Sequence, residues 1–312
     1  MHRWQSKHFG FSVDGKFVPT LVFADDVTLV ATSAQHLRDM LSSLQIGLRD
    51  VGLEIAFDKC EWTCNCPDSH SHCVTVGDFV LPRSPLNKGL KLLGTQVTLV
   101  NSCKVEWEHR LAVAWGTFYS RKQALCCQEA SLKARYNLLM ATVHKSLSWG
   151  LEVLTPTKAQ LRKLDSLQLA MVRKMMRSTR APGEEWLDWQ RRTLRSARAW
   201  IRRNRLEAGR DKQERDPNPF DKWSVKWRRQ YLSWAAHLAR LPAARLARQV
   251  TLYRDLEWWR HQQNAGSIRH PVRFKPWRWE DRIFQDACSL KLNWWDHAMK
   301  RRPWPAAMFH VA

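Results

Sequence analysis

The chain of 312 residues carries 51 Lys+Arg against 29 Asp+Glu, a formal net charge of +22 at pH 7. Such a surplus favours polyanionic partners, nucleic acid before an anionic membrane surface. No apolar run approaches the roughly 20 residues needed to span a bilayer, and the N-terminus lacks the apolar core of a secretory signal. A membrane-spanning or secreted protein is therefore not expected, and an intracellular setting, nuclear or cytoplasmic, is, with the 8 cysteines as free thiols or metal ligands.

Residues 1 to 16 hold little pattern. From Lys16 to Ala31 two short apolar, β-branched runs flank Asp25 and Asp26 and predict a β-hairpin with both acids at its turn. Neighbouring carboxylates repel unless something positive lies beside them. A hard divalent cation such as Mg²⁺ takes oxygen ligands and keeps room for phosphates. A solvated turn is the plainer alternative, since aspartate is a common turn residue. Thr32 or Ser33 can cap a following helix, whose apolar face is Leu37, Met40, Leu41, Leu44, Leu48 and Val51. Gly52 is placed to end it. Leu53, Ile55 and Phe57 alternate with Glu54 and Ala56 as a short strand, followed by Asp58, Lys59 and Cys60.

The next stretch holds Cys60, Cys64, Cys66, His70, His72 and Cys73 within fourteen residues. These are zinc-type ligands, but their spacing matches no standard knuckle, so zinc is not expected there. Strands are predicted over Val74 to Leu81 and from Thr95 to near Asn101. Helices then dominate. Leu111, Trp115, Phe118 and Tyr119 mark one apolar face; Leu132, Tyr136, Leu139, Val143 and Leu147 mark a second. Thr155 and Pro156 read as an N-cap and first helical position. That helix has Leu161, Leu164, Gln168, Met171, Val172 and Met175 on one side and Lys158, Arg162, Lys163, Arg173 and Lys174 on the other.

Composition shifts at Ala181–Pro182–Gly183. From residue 181 onward there are 28 Lys+Arg against 14 Asp+Glu, and 13 of the 18 Trp. Trp186/Trp189, Trp223/Trp227, Trp258/Trp259, Trp277/Trp279 and Trp294/Trp295 form pairs beside basic residues. Most of these rings are expected in the core and many of the arginines on phosphates. Asp211 to Phe220, with two prolines, is the candidate linker.

The segment Phe23-Ala24-Asp25-Asp26 between apolar runs, a helix, then Gly52, Leu53, Ile55 and Lys59, resembles the palm of a reverse transcriptase of the non-LTR retrotransposon type. Leu92, Leu93 and Gly94 match that family's primer-grip hairpin, and Ser148 to Gln168 resembles its thumb-proximal region. Arg278, Trp279, Glu280, Asp281, Trp295, Ala298, Arg301 or Arg302, and Trp304 match a segment found downstream of the thumb in some retroelement proteins. The resemblance implies Mg²⁺ or Mn²⁺ on Asp25 and Asp26, and Lys59 as the proton donor to pyrophosphate. It also implies an RNA template and a DNA primer held by Leu92, Leu93, Gly94, Lys158, Arg162, Lys163, Arg173 and Lys174.

The fold so implied is α+β: a partial antiparallel palm (1–101), a helical thumb (102–180) and a basic, Trp-rich helical region (181–312). The family's third aspartate belongs upstream of the acidic turn, but only 24 residues precede Asp25 and the one acid among them, Asp14, lacks its context. The fingers and the motif that helps hold template and incoming nucleotide find no match either. Polymerase activity is therefore not expected of this chain alone, exposed apolar faces are, and a non-catalytic nucleic-acid-binding protein is the alternative.

Overall fold

The computed structural model describes residues 9–13, 15–65, 73–99, 102–210, 217–251 and 279–310. They fall into two compact units, one within Met1–Glu106 and Pro242–Lys275, the other within Trp107–Leu241 and Pro276–Ala312. Small antiparallel sheets followed by helices suit the α+β class.

In the first unit eight strands pair as four separate antiparallel hairpins. These are β1 (Phe11–Val13) with β2 (Lys16–Val18), β3 (Thr20–Phe23) with β4 (Asp26–Leu29), β5 (Cys73–Val76) with β6 (Phe79–Pro82), and β7 (Leu90–Leu92) with β8 (Thr95–Val97). The β1–β2 hairpin was not legible in the N-terminal residues. Helix α1 (Ala34–Arg49) starts at Ser33, whose hydroxyl accepts from the His36 amide at 3.1 Å. It buries Met40 and Leu41, as its periodicity required. A small core gathers Leu41, Phe57, Trp62, Val74, Val76 and Leu81, and the Trp62 indole N–H donates to the Leu81 carbonyl at 2.9 Å.

Two expectations fail here. Leu53–Phe57 is not a strand: residues 53–56 have no regular structure, and Phe57–Lys59 form a single 3₁₀ turn. Gly52 takes a left-handed backbone (φ 74°) and the Leu53 amide bonds back to Leu48, so the chain leaves the helix by curling. The strand expected through Val100 ends at Val97.

The rest is helical. α2 spans Ser102–Ser120, α3 Lys122–Leu125 and α4 Leu132–Leu139, which passes through a wide π turn (Met140–His144) into α5 (Lys145–Ser148). Then come α6 (Lys158–Met176), α7 (Trp186–Gly209), α8 (Trp223–Arg240), α9 (Trp279–Ser289), α10 (Trp294–Met299) and α11 (Ala307–His310). The cap of α6 is Thr157, not Thr155. Its hydroxyl accepts from the Gln160 amide at 3.2 Å while the Gln160 side chain accepts from the Thr157 amide at 2.7 Å, a reciprocal box that outcompetes the proline start.

Gln168, on the apolar side of α6, is satisfied rather than misplaced. Its amide donates to the Tyr136 hydroxyl (2.9 Å) and the Asp221 carbonyl (3.1 Å), and its oxygen accepts from the Trp223 amide (3.3 Å). This ties α4, α6 and the start of α8 together and leaves neither end of the Gln168 amide unpaired. The predicted linker is corrected in part. Residues 211–216 lie outside the described residues, but Asn218, Phe220 and Asp221 are buried, with Phe220 stacked 4.8 Å from Tyr136.

Candidate functional site

The acidic turn is a two-residue connection. Phe23 pairs with Asp26 across the ladder, leaving Ala24 and Asp25 as the loop. Ala24 adopts a left-handed backbone (φ 51°), which a residue with a Cβ rarely takes. Short hairpins need such a conformation because it matches the twist of the flanking strands. The turn thus holds Asp25 and Asp26 side by side at one tip, both exposed. Phe23 beside them is 65% exposed, and Leu21, Val22 and Val27 are uncovered as well. Exposed apolar residues also occur well away from this hairpin, Ile46, Val51, Val80, Trp149 and Leu206 among them.

Lys59 ends the 3₁₀ turn and is also exposed. Among the described residues no group of three or more His, Cys, Asp or Glu side chains converges as a metal site. Asp25 and Asp26 thus stand together with no third His, Cys, Asp or Glu grouped with them among the described residues.

Leu92, Leu93 and Gly94 form the end of β7 and the turn into β8. Leu93 (φ 49°) and Gly94 (φ 77°) are both left-handed, the signature of a tight primed hairpin. Gly89 fixes the entry: a Cβ there would stand 2.2 Å from the Val97 carbonyl oxygen. Leu93 is 48% exposed at the tip.

Of the cysteine–histidine stretch, Cys66, His70 and His72 lie outside the described residues. Cys60 and Cys64 pack against the small core, and burial pushes the Cys60 thiol above its ordinary range, with Asp58 adding to the effect. Cys73 lies in β5.

On α6, Lys158, Arg162, Lys163 and Lys174 are exposed and Arg173 half-buried. Two of the five sit over rings: Arg173 is 5.6 Å from Trp189, and Lys174 is 5.7 Å from Tyr119. Contact with a ring leaves a cation's charge unneutralised.

Sequence reading missed a stronger basic feature next to it. Along α7, which packs on α6, Arg191, Arg195, Arg198, Arg202 and Arg205 repeat at spacings of four and three and are all exposed. Thr193, Ala197 and Asn204 occupy the buried side. The stripe covers about 21 Å at the helical rise. Its ends are tied to Asp188 (3.3 Å) and Asp221 (3.0 Å), while Arg195, Arg198 and Arg202 have no carboxylate partner among the described residues. The alternating spacing of four and three is itself the sequence signal of a single helical face.

Not every basic residue is available. Arg135 is buried and donates to the carbonyls of Ala130, Leu125 and Met175. Arg228 is buried as well, so these two serve the core and not phosphate. Among the tryptophans, Trp223 and Trp227 are core residues, Trp294 and Trp295 pack against alanines of α8, and Trp186 is exposed. Trp258, Trp259 and Trp277 lie outside the described residues.

The segment around Trp279 is an anchor. The Trp279 indole donates to the Glu152 carbonyl (2.6 Å), the Tyr231 hydroxyl donates to the Trp279 carbonyl, and the Arg282 guanidinium donates to the Pro156 carbonyl. Asp286 pairs with Arg228. The Glu280 side chain lies outside what is described; Asp281 stands in the first turn of α9, half-buried. No described helix is long and apolar enough to cross a membrane.

An uncharacterized transposon-derived protein of Caenorhabditis elegans, F52C9.6, is 25% identical over 313 residues, covering 95% of this chain and 97% of that protein. No family model and no solved structure matches.

Proposed function

We propose that this chain is a palm-and-thumb portion of a reverse transcriptase of non-LTR retroelement descent, which binds nucleic acid and does not polymerise by itself. The observation that carries the reading is the order of parts. A tight hairpin tipped by Asp25 and Asp26 precedes a capped helix, Lys59, and a second tight hairpin at Leu93–Gly94, with basic helices after them. The likeness to a transposon-derived protein along nearly the whole chain supports the same descent.

In this reading Asp25 and Asp26 are the carboxylates that would hold Mg²⁺ or Mn²⁺, and Lys59 is the residue that would donate a proton to the leaving group. Two-metal phosphoryl transfer needs carboxylates from more than one strand to neutralise both ions. Template and primer RNA and DNA would lie along the basic faces of α6 and α7, through phosphate contacts that carry no sequence information.

Primer extension with Mg²⁺ or Mn²⁺ is expected to give no incorporation above that of an Asp25→Ala/Asp26→Ala variant. Robust incorporation that depends on Asp25 would overturn the inactive half of the proposal. Binding to single-stranded or duplex nucleic acid is expected to fall steeply with salt. Replacing Arg195, Arg198 and Arg202 by Gln is expected to reduce the slope of log K against log salt by about 2 to 3. An unchanged slope would remove α7 from the interface.

A further inference from the structure

The second unit contains an open cleft of about 580 Å³ between α8 and the C-terminal residues, within the size range of small-ligand clefts. Arg229, Arg240, Arg301 and Arg302 line it, with Ser233 and Trp304, and no acidic residue lines it among the described residues. The Arg229 guanidinium stands 4.2 Å over the Phe309 ring and 3.8 Å from Asp221, a carboxylate it shares with Arg205. Arg240 donates to the Ala298 carbonyl at 3.1 Å, a neutral partner that fixes its position and leaves its charge.

Arg301 and Arg302 follow the end of α10, where Arg301 takes a left-handed backbone (φ 52°). Their amides bond back to Ala298 and His297, both at 3.2 Å, so two successive guanidiniums hang from a closed helix end. Trp304 is half-buried, with the His297 ring 5.1 Å away. The His297 Nε2 in turn lies 3.0 Å from the Pro303 carbonyl. The cleft therefore combines a held indole with three arginine charges that no described carboxylate neutralises.

We propose that this cleft seats a single-stranded stretch of nucleic acid, with backbone phosphates on Arg240, Arg301 and Arg302 and a base stacked on Trp304. Guanidiniums match phosphate oxygens in pairs, and a fixed ring accepts any base, so recognition here is independent of sequence. A concave site with a ring in it suits a nucleotide better than a flat lipid surface. The proposal rests on the nucleic-acid-binding reading above but names a site apart from α6 and α7.

The test is titration of the full chain with a labelled oligothymidylate, beside cross-linking by a thiothymidine-bearing version of it. Arg301→Gln/Arg302→Gln is expected to weaken binding roughly tenfold and to reduce the salt slope by about 1.4, two single-strand phosphate contacts. The cross-link is expected in the peptide holding Trp304. Each single substitution serves as the test if the double variant does not melt like the wild type.

Unchanged affinity and slope, with cross-links confined to α7, would overturn the cleft while leaving nucleic-acid binding in place. Absence of any binding by the wild-type chain would overturn both. Loss of phosphatidylserine vesicle binding in the variant, with oligonucleotide binding untouched, would assign the cleft to lipid headgroups and also overturn the proposal.

Discussion

Asp286→Ala is expected to lower the unfolding free energy of the second unit by about 3–5 kcal/mol, the cost of leaving one member of a buried ion pair alone. The Arg228 side chain, in α8, is 3% exposed and that of Asp286, in α9, 12%. Burial acts on both: it pulls the Arg228 guanidinium down and pushes the Asp286 carboxyl up, each being opposed by the other's charge. Arg228 also donates to the Met308 carbonyl at 3.1 Å and lies within 6 Å of the Trp227 and Tyr231 rings, at 5.8 and 5.7 Å. Without Asp286 the guanidinium keeps its desolvation cost and loses its counter-charge. A paired Arg228→Met/Asp286→Leu variant should recover most of the loss, since the penalty belongs to the orphaned charge and not to the absence of the pair. Urea unfolding followed by circular dichroism measures both; a change below about 1 kcal/mol for Asp286→Ala would mean that water reaches the pair.

The second large effect is on pH. His144, in the π turn after α4, is buried edge-on to Trp223, and its pKa is pulled down to about 3. Burial is the main cause, with Lys226 and Lys145 adding like charge. The folded state therefore keeps this imidazole neutral while the unfolded chain protonates it below about 6.5. The stabilisation is complete above that pH and is lost on acidification, down through the folded-state value. Because the unfolded state binds the extra proton, unfolding free energy from this site should fall by about 1.4 kcal/mol per pH unit below 6.5. Between pH 7 and pH 5 the wild-type chain should thus lose about 2 kcal/mol more than His144→Gln, whose amide does not titrate in this range. Equal losses in the two proteins would place the imidazole in contact with water.

The sequence already contained what local rules govern. Met40 and Leu41 followed from helical spacing, the Ser33 cap from its hydroxyl, and the acidic hairpin from two β-branched runs with Asp25 and Asp26 between them. Leu92, Leu93 and Gly94 were found through resemblance, and their dihedral angles explain why glycine follows leucine there. The errors arose where distant partners decide. Leu53–Phe57 alternates like a strand, yet no neighbouring strand pairs with it among the described residues. Nothing near Arg135 or Arg228 in sequence marks them as buried, because carbonyls remote in sequence and one carboxylate hold them in the core. The arginine cleft assembles from α8 and residues more than sixty positions later, so no window of sequence displays it.

The four hairpins of the first unit have a consequence for how the chain meets other molecules. A two-stranded sheet consists of nothing but edges, so β1 to β8 each present an outer row of amides and carbonyls that no further strand among the described residues takes up within its sheet. Proteins usually blunt such rows with charge, proline or a covering helix. At β3 and β4 the uncovered residues include Leu21, Val22, Phe23 and Val27 instead. This ribbon can be extended by any segment able to run beside it, and the two aspartates at its tip would then gain whatever that segment carries.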